Sequence, residues 1–121
     1  MTFDDAVVSV AVAGFALMGA AALISPATVT RQVELQASSA TGRSEIRAVY
    51  GGFGLAVAGL LVGTWFWPAA RPGIVLAVAV ALLGMAGGRL ASAAVDRSLP
   101  RGAALYLVIE LVGGTGLMTV V

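Results

Sequence analysis

The sequence predicts an all-α integral membrane protein, an up-down four-helix bundle, and three observations carry that prediction. Hydrophobic residues make up 60% of the 121 and charged residues only 11%, where an ordinary soluble domain is about 25% charged. Mean hydropathy is +1.00. Four long apolar runs fill most of the chain, each close to the ~20 residues that cross a hydrocarbon core, and Pro26, Pro68, Pro72 and Pro100 all fall at the breaks between them.

The first run, about 6–24, is closed by Ser25 and Pro26, which cannot continue a helix. Asp4 and Asp5 precede it. A secretory signal carries positive charge at that place, so the run is expected to be a permanent anchor rather than a cleaved leader. Residues 26–44 form the only long polar stretch, with Val29, Val33 and Leu35 among Arg31, Gln32 and Glu34. Two readings stay open for it: a short helix lying among lipid headgroups, or a simple loop. Thr41 or Ser44 is a suitable cap for the next helix, and Glu45 would then stand in its first turn, where the helix dipole favours a carboxylate.

The second span is expected over about 45–67, closed by the aromatic run Trp65, Phe66 and Trp67 at a membrane interface. Pro68, Arg71 and Pro72 make a tight turn, a third span covers about 73–95, and a fourth about 102–121. Short connections force neighbouring spans antiparallel, all within one membrane domain. Arg31, Arg43, Arg97 and Arg101 flank the first and third connections, and Arg71 alone the second. By the positive-inside rule, loops 25–44 and 96–101 are cytoplasmic and both termini lie outside. Arg without Lys, together with abundant Ala, Gly and Val, suggests a high-GC bacterium and hence its cytoplasmic (inner) membrane.

Composition also excludes functions. The net charge is +1, and the seven basic residues are spread along the chain, so the concentrated basic patch that nucleic acid requires is missing. With no Cys and no His, disulfides, thiol relays, iron–sulfur clusters and the common zinc and haem ligands are all excluded. No metal site and no cofactor is implied, although a quinone would need only a pocket and hydrogen-bond donors.

Against this apolar background the charges inside the spans locate a site. A charge in hydrocarbon costs roughly 2.5–3.5 kcal/mol on insertion scales, so it is seldom left facing lipid. Glu45, Arg47, Arg89 and Glu110 cancel as a set and are expected to face one another. Arg47, Tyr50, Gly51 and Gly54 follow the i, i+3, i+4, i+7 pattern of one helix face, with Glu45 and Gly52 on the adjoining one. Arg89 sits beside the small-residue stripe Gly84, Gly88 and Ser92, and either snorkels to the interface or turns inward. Glu110 lies roughly 12 Å into its span, too deep to snorkel, so it must be protonated, water-exposed or paired with Arg89 or Arg47. Tyr106 stands one turn before it and Gly113 and Gly114 one turn after. Gly51, Gly52, Gly84, Gly88, Gly113 and Gly114 are expected to pack helices. The ion pair itself reads either as a fastener of helix register or as a ligand or proton site.

The run E-I-R-A-V-Y-G-G from Glu45 to Gly52, G-R at Gly88 and Arg89, and the lone Glu110 resemble the bacterial membrane-protein family of unknown function DUF4345, within the wider DoxX-like group of four-helix proteins. The likeness covers nearly the whole chain. It implies signature positions at Glu45, Arg47, Tyr50, Gly51, Gly52, Gly88, Arg89 and Glu110, and it implies no activity. Some DoxX-like proteins are linked to quinone or sulfur oxidation, chemistry that a chain without Cys and His gives no reason to adopt.

The expected function is to bind or pass a small amphipathic ligand such as a lipid or quinone, the buried polar cluster lining an apolar-walled cavity. The alternative is a structural or accessory subunit that meets a membrane-protein partner or a second copy of itself through the glycines. Small multidrug-type exporters place an essential carboxylate in their first span, and here that span has no ionisable residue. Enzyme function is not expected, since no nucleophile or metal accompanies the Glu, Arg and Tyr set.

Overall fold

The computed structural model describes residues 1–121, and every regular element in it is helical. Four helical stretches are long and apolar enough to cross a membrane: Phe3–Ile24, Ala40–Gly63, Pro68–Asp96 and Arg101–Met118. The chain divides into two compact units, Ser9–Phe66, and Met1–Val8 together with Trp67–Val121.

The Ser9–Phe66 unit takes in most of helix α1 (Phe3–Ile24). Helix α2 (Pro26–Gln32) follows at once, with a proline in its first turn, where the missing N–H costs nothing. It buries Pro26, Val29 and Thr30 and exposes Arg31 and Gln32. The polar stretch is thus a short helix followed by an irregular segment. Ser39, in extended geometry, caps helix α3 (Ala40–Ile46), its hydroxyl accepting the Gly42 N–H at 3.0 Å. The second span therefore starts about a turn earlier than expected, and neither Thr41 nor Ser44 is the cap. Glu45 consequently lies past the first turn, beyond the short reach of the helix-end dipole.

Helix α3 runs without interruption into a π-helical stretch, Arg47–Gly52, and then helix α4 (Phe53–Gly63). This wide turn explains why the expected face is wrong. In a ladder closed from i to i+5, residues five apart lie nearly above one another, and the residues buried together are Ile46 and Gly51, while Arg47 is exposed. Gly51 and Gly54 then face α1, which runs antiparallel and very close. A Cβ on Gly19 would stand 2.9 Å from the Gly51 carbonyl oxygen and from the Leu55 nitrogen; one on Gly51 would meet Leu23 at 2.8 Å. Ala22, Val29 and Ile46 close the core of this unit, with Tyr50 packed against them. The span ends at Gly63 rather than at Trp67, because the Thr64, Trp65 and Phe66 amides turn back onto Leu61, Val62 and Gly63.

In the other unit a short turn, Pro68–Ala70, leads into helix α5 (Arg71–Asp96), so Arg71 and Pro72 open the helix rather than make the turn. Buried Val75, Val78, Ala79, Leu82 and Ala86 repeat at helical spacing. Arg97, at φ +50°, closes α5 in the left-handed conformation of a helix C-terminus. Helix α6 (Arg101–Met118) returns antiparallel, presenting Leu107, Glu110, Gly114 and Leu117 as its buried stripe. A Cβ on Gly114 would meet Leu83 at 2.7 Å, and one on Gly113 would meet Leu82 at 3.3 Å. The chain's first residues join this unit through an ion pair, Arg71 Nη1 to Asp5 Oδ1 at 3.0 Å. Gly84 and Gly88 lie opposite the buried stripe of α5, and a Cβ on either meets nothing within 4 Å. Gly52 is likewise exposed, so these three glycines pack no helix within the chain.

Candidate functional site

Glu110 occupies a position on α6 that the stripe of Leu107, Gly114 and Leu117 reserves for the interior, and its side chain is 3% exposed. A carboxylate there needs a cation and two donors. Arg89, on the facing flank of α5, supplies both: Nε donates to Oε2 at 2.7 Å and Nη2 to Oε1 at 2.8 Å. This is the bidentate fork that only a guanidinium can form, and it satisfies both carboxylate oxygens at once. No buried side-chain nitrogen or oxygen is left without a partner. Tyr106, one turn before Glu110, offers its ring to the same guanidinium, whose Cζ lies 5.3 Å from the ring centroid. Of the two readings for Arg89, the inward one holds.

Glu45, Arg47 and Tyr50 belong to the Ser9–Phe66 unit. Tyr50 is half-buried on its core, whereas Glu45 and Arg47 are exposed. Ion pairs join Arg89 to Glu110 and Asp5 to Arg71. Of the four charges, Arg89 and Glu110 form the fork within one unit, and Glu45 and Arg47 lie in the other. Both exposed residues stand within two turns of the start of their span at Ala40, near enough to its end for snorkelling to satisfy them.

Beside the fork lies a half-open cavity of about 500 Å³ at the α5–α6 connection. Arg89, Ser92, Asp96 and Ser98 supply its polar wall, and Met85 and Leu99 part of its apolar one. A volume in the range of about 300–1,000 Å³ with a few convergent polar groups is typical of a small-molecule site. Exposed Gly88 lines it as well, which gives that glycine a role other than helix packing.

Sequence reasoning missed the Asp5–Arg71 pair, whose partners are 66 residues apart. The signal was present in the topology, since alternating spans put the start of the first and the connection before the third on one side. It also passed over Gly19 and over Asp96 at the cavity. Charge-bearing groups suitable for a metal are not gathered anywhere in the chain.

The profile of the family described as Domain of unknown function (DUF4345) matches residues 5–121. No curated protein and no solved structure matches the chain.

Proposed function

Because the chain belongs to the DUF4345 family, whose description assigns no activity, function must be argued from the site, and we propose that the protein binds or passes a small amphipathic molecule at the α5–α6 cavity. The single observation that carries this reading is the Arg89–Glu110 fork beside a cavity of about 500 Å³ whose wall mixes hydroxyls and a carboxylate with apolar side chains. Lipid-facing surface needs no such mixture. Gly88 offers a clean test, since it lines the cavity and any side chain added there points into open space. Gly88→Phe should leave unfolding in detergent unchanged within about 0.5 kcal/mol. The same change should remove the amphiphiles that co-purify with the wild type, read by mass spectrometry; equal recovery from both proteins contradicts the reading.

A second reading, an accessory subunit, draws on the exposed small surface of Gly84 and Gly88, onto which another helix could close. It requires the detergent-solubilised particle to be heavier than one chain plus its micelle.

The membrane is proposed to be the bacterial cytoplasmic membrane, within the DoxX-like four-helix group that the signature residues resemble. Both termini lie outside, and the connections near 25–44 and 96–101 are cytoplasmic. The cavity then opens toward the cytoplasmic leaflet. A C-terminal reporter that works only in the cytoplasm should be silent, and an active one reverses the orientation.

A further inference from the structure

The cavity's charge count says more about its ligand than its volume does. Arg89 is the one cation on its wall, and Glu110 neutralises it in a two-bonded fork. Asp96 is the one anion on the wall and takes part in neither the Arg89–Glu110 nor the Asp5–Arg71 pair. Two helix ends also meet here, the carbonyl end of α5 at Asp96 and the amide end of α6 at Arg101. Their partial charges are opposite in sign and offset each other. Arg97 and Arg101 are exposed and do not line the cavity. What the wall leaves uncompensated is one carboxylate, about 10 Å along α5 from Arg89 at helical rise.

From this we infer that the ligand carries a positive charge, that it is an amine or quaternary ammonium joined to an apolar body, and that Asp96 binds the charge. The inference rests on the binding reading above and deepens it. An anionic amphiphile would find the wall's one cation already neutralised by Glu110, and it would meet the Asp96 carboxylate with like charge. A cationic one gains an ion pair at Asp96, donates to the Ser92 and Ser98 hydroxyls when it bears N–H groups, and lays its tail on Met85 and Leu99. Because Asp96 is exposed, the gain is that of a solvent-screened pair, about fivefold in affinity. Repulsion of the opposite charge widens the discrimination to about tenfold, and salt weakens both.

Three probes with the same octyl tail separate these claims: octyltrimethylammonium, octyl sulfate and octyl glucoside, titrated calorimetrically into the protein in zwitterionic nanodiscs. Partitioning into lipid is subtracted with Gly88→Phe, which adds a ring at the cavity wall. The expected result is saturable binding of the ammonium about tenfold tighter than of the sulfate. Asp96→Asn should abolish that preference and leave the glucoside unchanged. Equal affinity for the two ions, or a preference that survives Asp96→Asn, overturns the charge assignment while the cavity reading stands. If none of the probes shows saturable binding sensitive to Gly88→Phe, the cavity reading falls with it.

Discussion

Glu110→Leu should destabilise the protein by about 3–5 kcal/mol, because it removes the carboxylate that forks the sheltered Arg89 guanidinium. Arg89→Leu should cost about the same, since it leaves a 3% exposed carboxylate unpaired. The informative variant is the double one. With both charges gone, no desolvated ion remains, so Arg89→Leu with Glu110→Leu should recover most of the loss, to within about 1–2 kcal/mol of wild type. Reversible unfolding in mixed micelles would measure the cycle. Costs that simply add would mean the two groups do not act as a pair. The same protein separates the two functional readings: a double variant that is stable yet retains no amphiphile assigns the fork to binding, whereas full retention leaves it as a fastener between α5 and α6.

Gly19→Ala should be the most damaging single-methyl change in the chain. The added Cβ would lie 2.9 Å from the Gly51 oxygen and from the Leu55 nitrogen, both backbone atoms that cannot rotate away. Relief requires α1 to move off its neighbour, at about 1–3 kcal/mol for an overpacked interior. Gly114→Ala meets chiefly the Leu83 side chain, at 2.7 Å, with the Ala79 backbone oxygen farther off at 3.2 Å, so its cost should be smaller. Gly84→Ala meets nothing within 4 Å and should stabilise by up to about 1 kcal/mol through helix propensity. Thermal unfolding of the three variants should rank them Gly19, Gly114, Gly84 from most to least harmful. A harmless Gly19→Ala would show that α1 and α4 do not approach as described.

The sequence made the fold class and the four spans legible because bilayer crossing is a demand on length and hydropathy, both of which are written in composition. Glu110 was legible for a related reason: its depth excludes every outcome except pairing, protonation or hydration, and left Arg89 and Arg47 as the candidate cations. The cap at Ser39 was not, because Ser39, Thr41 and Ser44 are chemically interchangeable there and only backbone geometry selects among them. The glycines divide in the same way. Composition marks Gly51 and Gly88 alike as small, but which is pressed against Leu23 and which faces open space depends on helix rotation. Arg47 was misplaced because its face was counted at 3.6 residues per turn across a segment that does not follow that count.

That segment gives the long rod from Ala40 to Gly63 two rotational phases. Upstream of Arg47 and downstream of Gly52 the helix is regular, yet the halves are offset, as though one residue had been slipped between them. Excising Ala48 would leave one uninterrupted α-helix in which Ile46 and Gly51 stand four apart, the spacing that keeps two residues on one face. Gly51 and Gly54 would stay seated against α1, and Ile46 would keep its place in the core. The wide turn thus absorbs one extra residue while Ile46 before it and Gly54 after it both keep to the buried side.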